Sequence, residues 1–207
     1  MQFVVGNKRR SRQLKKARVN DLALVFLDES TVRMQSTVRR TWAPRGNTPI
    51  HRNSGSWQSI RAIAALTVAP KTGATALDFW LSEKSVDSEQ MAFLLRDLFN
   101  QRGQDCILIW DNLPAHKPTA RMMTTPGWPM APEVAIDIQY LPVYAPDFNP
   151  VEQVWKSVKY DDLANYVPTD LAALKARLDQ SLRAVQDRPD LLRSFVRWAG
   201  FALGESY

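Results

Sequence analysis

The chain has 207 residues, of which 45% are hydrophobic and 23% charged, and its formal net charge at pH 7 is +6. This composition is typical of globular proteins and excludes collagen-like, coiled-coil and wholly disordered chains. Cys106 is the only cysteine and there are only two histidines, which excludes an internal disulfide and a zinc site built from Cys and His ligands.

The hydrophobic pattern, taken in chain order, predicts a mixed α/β fold with a five-stranded sheet flanked by helices. Apolar runs predict strands at residues 22–27, 60–68, 75–81, 106–110 and 134–141, with a further short strand at 38–42. The first three main strands are expected to form a meander. Helical periodicity predicts helices at residues 88–101, 115–123, 151–163, 170–186 and 189–201. We expect residues 1–20 to be a basic arm or linker and residues 21–207 to be one domain.

Positive charge is concentrated in residues 1–77, which hold 14 lysines and arginines against three acids. Two stretches of this half contain no acid, and cations at this density neutralise the phosphates of nucleic acids. The first of these stretches runs from residue 8 to residue 18, and the alternative for it is a solvated tail that binds no ligand. The residues that we predict to contact DNA are Lys8, Arg9, Arg10, Arg12, Lys15, Lys16, Arg39, Arg40, Arg45 and Arg52.

No apolar run reaches the roughly 18 to 20 residues that a membrane span needs. No apolar signal core precedes the basic stretch near the amino terminus either. We therefore expect a cytoplasmic protein that has no membrane partner.

Two of the predicted buried strands, residues 22–27 and 106–110, are each followed by an aspartate, Asp28 and Asp111. Ligands bind at the carboxyl edge of open α/β sheets, so the two carboxylates converge there if the strands are neighbours. Mg²⁺ prefers oxygen ligands, and two such ions about 3.5 to 4 Å apart can activate an attacking hydroxyl and stabilise a leaving oxygen. The alternative is that each aspartate only forms a turn.

Glu152 is the candidate for a third carboxylate. A structural alternative is strong, because Asn149 as N-cap, Pro150 at the first helical position and Glu152 at the third would form a capping box. Helical spacing puts Glu152 one turn before Trp155, near the helix face that packs on the sheet.

Two other acids compete with these three. Asp147 is more simply explained as a loop or turn residue. Glu29 ranks below its neighbour Asp28, because successive side chains of a strand point to opposite faces of the sheet.

Three segments carry a resemblance to a known family. The chain is similar, over most of residues 22–165, to the catalytic domain of mariner-superfamily insertion-sequence transposases. The order of proline, aspartate, asparagine, proline and glutamate in the third segment is the most specific part. The segments are residues 27–30 (LDES), 110–117 (WDNLPAHK) and 141–155 (LPVYAPDFNPVEQVW).

The resemblance implies a ribonuclease-H-like fold in which Asp28, Asp111 and Glu152 are catalytic and bind Mg²⁺ or Mn²⁺, with two ions expected. It also implies a DNA transposase and endonuclease that cleaves double-stranded DNA at the element ends and joins the freed strand to target DNA, usually at a TA step. A homodimer associated with the bacterial nucleoid is expected.

Three further residues are expected to support this triad. His116 matches the family pattern and would orient a phosphate or the attacking water. Asn112 and Asn149 would hold carboxylates in place. The alternatives are a hydrogen-bonded surface histidine, and turn and cap roles for the two asparagines.

Two features depart from the family pattern. The forty residues between Asp111 and Glu152 are more than is usual, and an insertion at residues 124–132 would absorb the excess. Family members also carry helix–turn–helix modules before the catalytic domain, whereas this sequence has only the basic arm. We therefore expect a frameshift product or a remnant, served by a separate helix–turn–helix protein or an upstream frame product.

Two other functions remain open at this stage. One is a ribonuclease-H-like nuclease that cleaves without joining. The other is a non-catalytic DNA-binding or oligomerisation remnant of a transposase, although all three acidic positions still hold carboxylates.

Overall fold

The computed structural model describes residues 2–35, 37–40, 42–47, 50, 56–142 and 145–201, with side chains described from residue 11 onward. Five strands form one mixed sheet in the order β3-β2-β1-β4-β5. The strands are β1 (Ala23–Arg33), β2 (Ser59–Val68), β3 (Thr75–Ser82), β4 (Cys106–Trp110) and β5 (Ile136–Tyr140). The helices are α1 (Gln2–Asn20), α2 (Ser88–Arg102), α3 (His116–Thr124), α4 (Val151–Lys156), α5 (Leu171–Gln186) and α6 (Pro189–Trp198).

The sheet combines an antiparallel half with a parallel half. Strand β1 pairs antiparallel with β2, which pairs antiparallel with β3, so the predicted meander is confirmed. Strand β1 also pairs in parallel with β4, and β4 with β5. Strands β1 and β4 are therefore neighbours at the centre of the sheet, and their carboxyl ends point the same way.

Side-chain alternation along β1 divides the hydrophobic core into two layers. Leu24 and Phe26 face a core that includes residues of α1, α4, α5 and α6. Val25 and Leu27 face a second core, which includes residues of α2 and α3. Burying a side chain of this size contributes about 1.5 to 3 kcal/mol, so β1 stabilises both layers at once.

Helix α2 shows why these helices begin and end where they do. The Asp87 carboxylate accepts hydrogen bonds from the N–H groups of Glu89 and Gln90, and the Gln90 side chain completes a capping box. Gly103 ends the helix with φ of +59°, a conformation that costs a residue with a side chain free energy. The helix predicted at residues 88–101 is confirmed as Ser88–Arg102.

The residues that we expected to be a basic arm or linker form a helix, α1. Helix α1 buries Leu14 and Ala17 in the first core, beside β1. Among the helices that the structure describes, none combines the length and apolarity of a membrane span.

Three other predictions about elements were wrong in detail. The described residues of segment 38–42 form no strand. Strand β1 continues to Arg33, so Asp28 lies within the strand instead of after it. The helix predicted at 151–163 is α4 followed by a π-helix at Ser157–Asp162, in which the backbone takes a wider turn.

Candidate active site

Asp28 lies on the central strand β1, opposite Ala64 of β2. Its Oδ2 atom accepts a hydrogen bond of 2.9 Å from Trp155 Nε1 of α4. Burial raises the pKa of Asp28 to about 7, and the nearby carboxylates of Glu152 and Asp111 add to the rise. The Trp155 bond and a backbone hydrogen bond from Glu29 oppose it.

Asp111 follows the last residue of β4 and contacts His116, the first residue of α3. His116 Nδ1 lies 2.5 Å from Asp111 Oδ1, and Nε2 lies 3.2 Å from Glu29 Oε1. The imidazole stacks on Trp110, with ring centroids 3.9 Å apart. Burial lowers the pKa of His116, but the two carboxylates outweigh it and raise the pKa to about 9. A protonated His116 therefore bridges the two acids.

Glu152 lies in the first turn of α4, and Asn149 fixes that turn to the central strand. Asn149 is buried, and its Nδ2 donates to the Leu27 carbonyl at 3.0 Å. Its Oδ1 accepts from the Val151 N–H at 3.2 Å. The Asn149 N–H donates to Pro146 O at 2.8 Å, so the reciprocal bond of a capping box with Glu152 is not formed. The Glu152 carboxylate therefore makes no capping hydrogen bond and is available to the candidate site.

Lys159 is a site residue that the sequence reasoning missed. It lies in the π-helix, and its Nζ donates to Ser30 Oγ at 2.6 Å. The pKa of Lys159 is lowered, mainly by burial, and the carboxylates of Glu152 and Asp28 oppose that decrease in part. A signal was present, because a spacing of seven residues puts Lys159 two helical turns after Glu152 on the same face.

The three predicted catalytic carboxylates lie within electrostatic reach of one another. Burial raises the pKa of Glu152; Lys159 opposes the rise, whereas Asp147 and Asp111 add to it. Within the described part of the chain, however, no group of three or more His, Cys, Asp or Glu side chains is arranged to hold a metal ion. The contacts explain this, because Asp28 is bound to Trp155 on one face of the sheet and Asp111 contacts His116 on the other.

Asn112 is exposed and pairs with a lysine instead of a carboxylate. Its Oδ1 accepts from Lys117 Nζ at 2.8 Å, and the same ammonium lies 3.5 Å from the centre of the Tyr140 ring. This arrangement brings one more cation beside Asp111, at the carboxyl end of β4.

The residues predicted to contact DNA fall into two regions. Arg12 and Lys15 are exposed on α1, and Arg40 and Arg45 are exposed in the segment after β1. The other described candidates have acidic partners: Lys16 lies 2.6 Å from Asp137, and Arg39 lies 2.7 Å from Asp161. Arg52 and the side chains of Lys8, Arg9 and Arg10 lie outside the described residues.

The acids of this site lie on β1, directly after β4, and on α4, which packs against β1. The chain matches the model of the DDE superfamily endonuclease family over residues 23–175. This match spans well over half of the sequence, and the chain belongs to that family. No curated protein sequence matches it.

Solved structures of Mos1 resemble the chain in fold. The Mos1 strand transfer complex has a TM-score of 0.53 at 15% identity and covers 98% of this chain and 62% of its own. The Mos1 mariner paired end complex with Mn has a TM-score of 0.55 at 14% identity, and the match covers 98% of this chain and 62% of the Mos1 chain. The corresponding complex with Mg has a TM-score of 0.55 at 15% identity, and the match covers 93% of this chain and 60% of the Mos1 chain.

These likenesses confirm the expected ribonuclease-H-like fold, and the family match confirms the resemblance on which that expectation depended. The chain spans about three fifths of the length of the Mos1 chains that it matches.

Proposed function

We propose that this chain is the catalytic domain of a DNA transposase, which hydrolyses phosphodiester bonds at element ends and joins the freed strand to target DNA. The observation that supports this most directly is that the parallel pairing of β1 with β4 and the packing of α4 on β1 put Asp28, Asp111 and Glu152 close enough to repel one another. Each comes from a different element, and Asp28 is raised to a pKa of about 7 by burial together with the other two. An enzyme without a use for this repulsion would gain stability by losing one of the acids.

The donors of these three acids suit a hard divalent cation in their chemistry, although the acids are not arranged around one common point. They are carboxylate oxygens, which Mg²⁺ and Mn²⁺ favour, and their mutual repulsion is what a bound cation would relieve. Asp28, Asp111 and Glu152 would hold the metal, in our proposal as two ions. Bound there, the metal would activate the attacking oxygen and stabilise the leaving one.

The other residues of the site would orient these three acids. Trp155 and Asn149 fix Asp28 and the first turn of α4 on β1. His116 holds Asp111 and Glu29 together through its two ring nitrogens. For Asp111 to join the other two acids, its side chain would rotate away from His116.

The proposed partner is double-stranded DNA, in the form of element ends and target. The Mos1 structures include a strand transfer complex and a paired-end complex with the left transposon end. We propose that this chain likewise acts as a homodimer that holds two DNA ends. We also propose that a separate helix–turn–helix protein or upstream frame product takes part in recognition of the ends.

A cleavage assay on supercoiled plasmid tests the proposal. We expect nicking that requires Mg²⁺ or Mn²⁺, is abolished by EDTA and is lost in Asp111→Asn. The matched control is Asp97→Asn, an exposed carboxylate of α2 that pairs with Arg96 and is expected to leave nicking unchanged. Equal nicking by the wild type and Asp111→Asn would overturn the mechanism.

Joining separates the proposed transposase from the two alternatives. A labelled oligonucleotide with a free 3′ hydroxyl should become covalently attached to plasmid DNA if the chain is a strand transferase. Nicking without attachment would indicate a nuclease of the same fold. Failure of Mn²⁺ to raise the melting temperature, together with no nicking, would indicate a non-catalytic remnant.

A further inference from the structure

A groove of about 360 Å³ is lined by residues of α4, the π-helix and α6, and Glu152 is the member of the proposed triad that lines it. Glu152 and Trp155 line it from α4, and Tyr160 and Trp198 line it from the π-helix and α6. Tyr160 is 51% exposed and Trp198 is 50% exposed. Both rings are therefore accessible to a ligand that enters the groove beside Glu152.

We infer that this groove, termed here the aromatic groove, takes an unpaired nucleobase of the DNA strand at the acidic site and stacks it on Trp198 and Tyr160. The inference rests on the proposed function, because it assumes that the strand reaches Glu152. It adds a base-binding subsite to the phosphate chemistry of the acids.

The charges of the aromatic groove favour a base over a phosphate as its occupant. Lys156 and Lys159 line it together with Asp147 and Glu152, so its walls carry equal numbers of cations and anions. A phosphate placed inside would meet two carboxylates, whereas a base is uncharged and offers amino groups that carboxylates accept. Lys156 is exposed, where it can pair with the phosphate next to the base.

Size and chemistry agree with this assignment. Sites for small organic ligands measure about 300 to 1,000 Å³ and combine apolar walls with a few polar groups. Aromatic side chains bind single-stranded nucleic acids by stacking, which works with any base because every base has a π face. The aromatic groove is therefore suited to an unpaired base at a nicked or frayed end, without a strong preference for its identity.

Equilibrium binding to two matched DNA probes tests the inference. Both are the same duplex with a three-nucleotide 3′ extension, carrying normal bases in one probe and abasic sites in the other. The phosphates are identical in number, so electrostatic binding cancels in the comparison. Fluorescence anisotropy in EDTA avoids cleavage. We expect the wild type to bind the base-containing probe more tightly by roughly five- to 150-fold, the range for stacking of one base.

Trp198→Ala should abolish this preference, and Trp198→Phe should retain part of it. Tyr160→Ala is an independent variant that should weaken the preference, which guards against a folding defect in the first. Trp128→Ala, a 42% exposed tryptophan outside the groove, is the matched control and should keep the full preference. Circular dichroism checks that each variant is folded.

Each result has a defined meaning. A wild type that binds both probes equally, or a preference that survives in both Trp198→Ala and Tyr160→Ala, would overturn the inference. Loss of a dimer in Trp198→Ala without loss of base preference would assign the surface to a second copy of the chain and overturn it too. Asp111→Asn should keep the base preference, so a chain that stacks bases but never cleaves would refute the proposed function and leave the aromatic groove in place.

Discussion

Replacing Asp28 by asparagine should stabilise the protein while removing its proposed activity. The pKa of Asp28 rises from 3.8 to about 7 on folding, so above pH 7 the folded protein holds a carboxylate in an environment that disfavours its charge. At about 1.4 kcal/mol per pKa unit, this costs up to about 4 kcal/mol. Asparagine carries no charge and its side-chain oxygen can still accept the hydrogen bond from Trp155 Nε1.

The sign of the pH dependence follows from proton binding. The folded state holds the Asp28 proton more tightly than the unfolded state, so the wild type loses stability as the pH rises from about 4 to about 7. Asp28→Asn does not. Urea unfolding in EDTA should therefore show the variant more stable by up to about 4 kcal/mol at pH 8 and by less than about 2 kcal/mol at pH 5.

An exposed carboxylate provides the control for this measurement. Asp97→Asn should change the free energy of unfolding by less than about 1 kcal/mol at either pH, as is usual for surface ion pairs. If Asp28→Asn is no more stable than the wild type at pH 8, or if its advantage does not depend on pH, then burial and the neighbouring acids do not raise the pKa of Asp28 as described here.

The sequence predicted the sheet well because its strands are marked by local signals. Strand β4 is entirely buried and entirely apolar, and it was predicted with its exact bounds. Helix α1 was missed because its cations hide the short apolar stripe of Leu14 and Ala17, which only the packing against β1 reveals. The π-helix was missed because the apolar spacing of residues 151–163 also fits one continuous α-helix.

The sequence predicted the acids of the candidate site but not the residues that contact them. Asp28 and Asp111 follow from buried strands, yet the contacts that orient them come from residues distant in sequence or on another element. Trp155, which binds Asp28, lies 127 positions away. His116 brings Asp111 and Glu29 together across the sheet edge, and such pairings depend on the folded topology that places β4 beside β1.

Three further predictions test the packing and the site. Leu178→Ala, at a fully buried position of α5, should lower the free energy of unfolding by about 2 to 5 kcal/mol in urea. His116→Gln should cost about 3 kcal/mol at pH 6 and little at pH 10, because the folded pKa of about 9 exceeds 6.5 and the stabilisation by the protonated ring is lost as the pH rises through 9. Trp155→Phe keeps an aromatic ring but removes the N–H that lowers the pKa of Asp28. That pKa should then rise, so the increase in melting temperature that Mn²⁺ is expected to cause should move to higher pH, because the ion competes with a more tightly held proton. An unchanged pH dependence in Trp155→Phe would show that Asp28 does not take part in binding the ion.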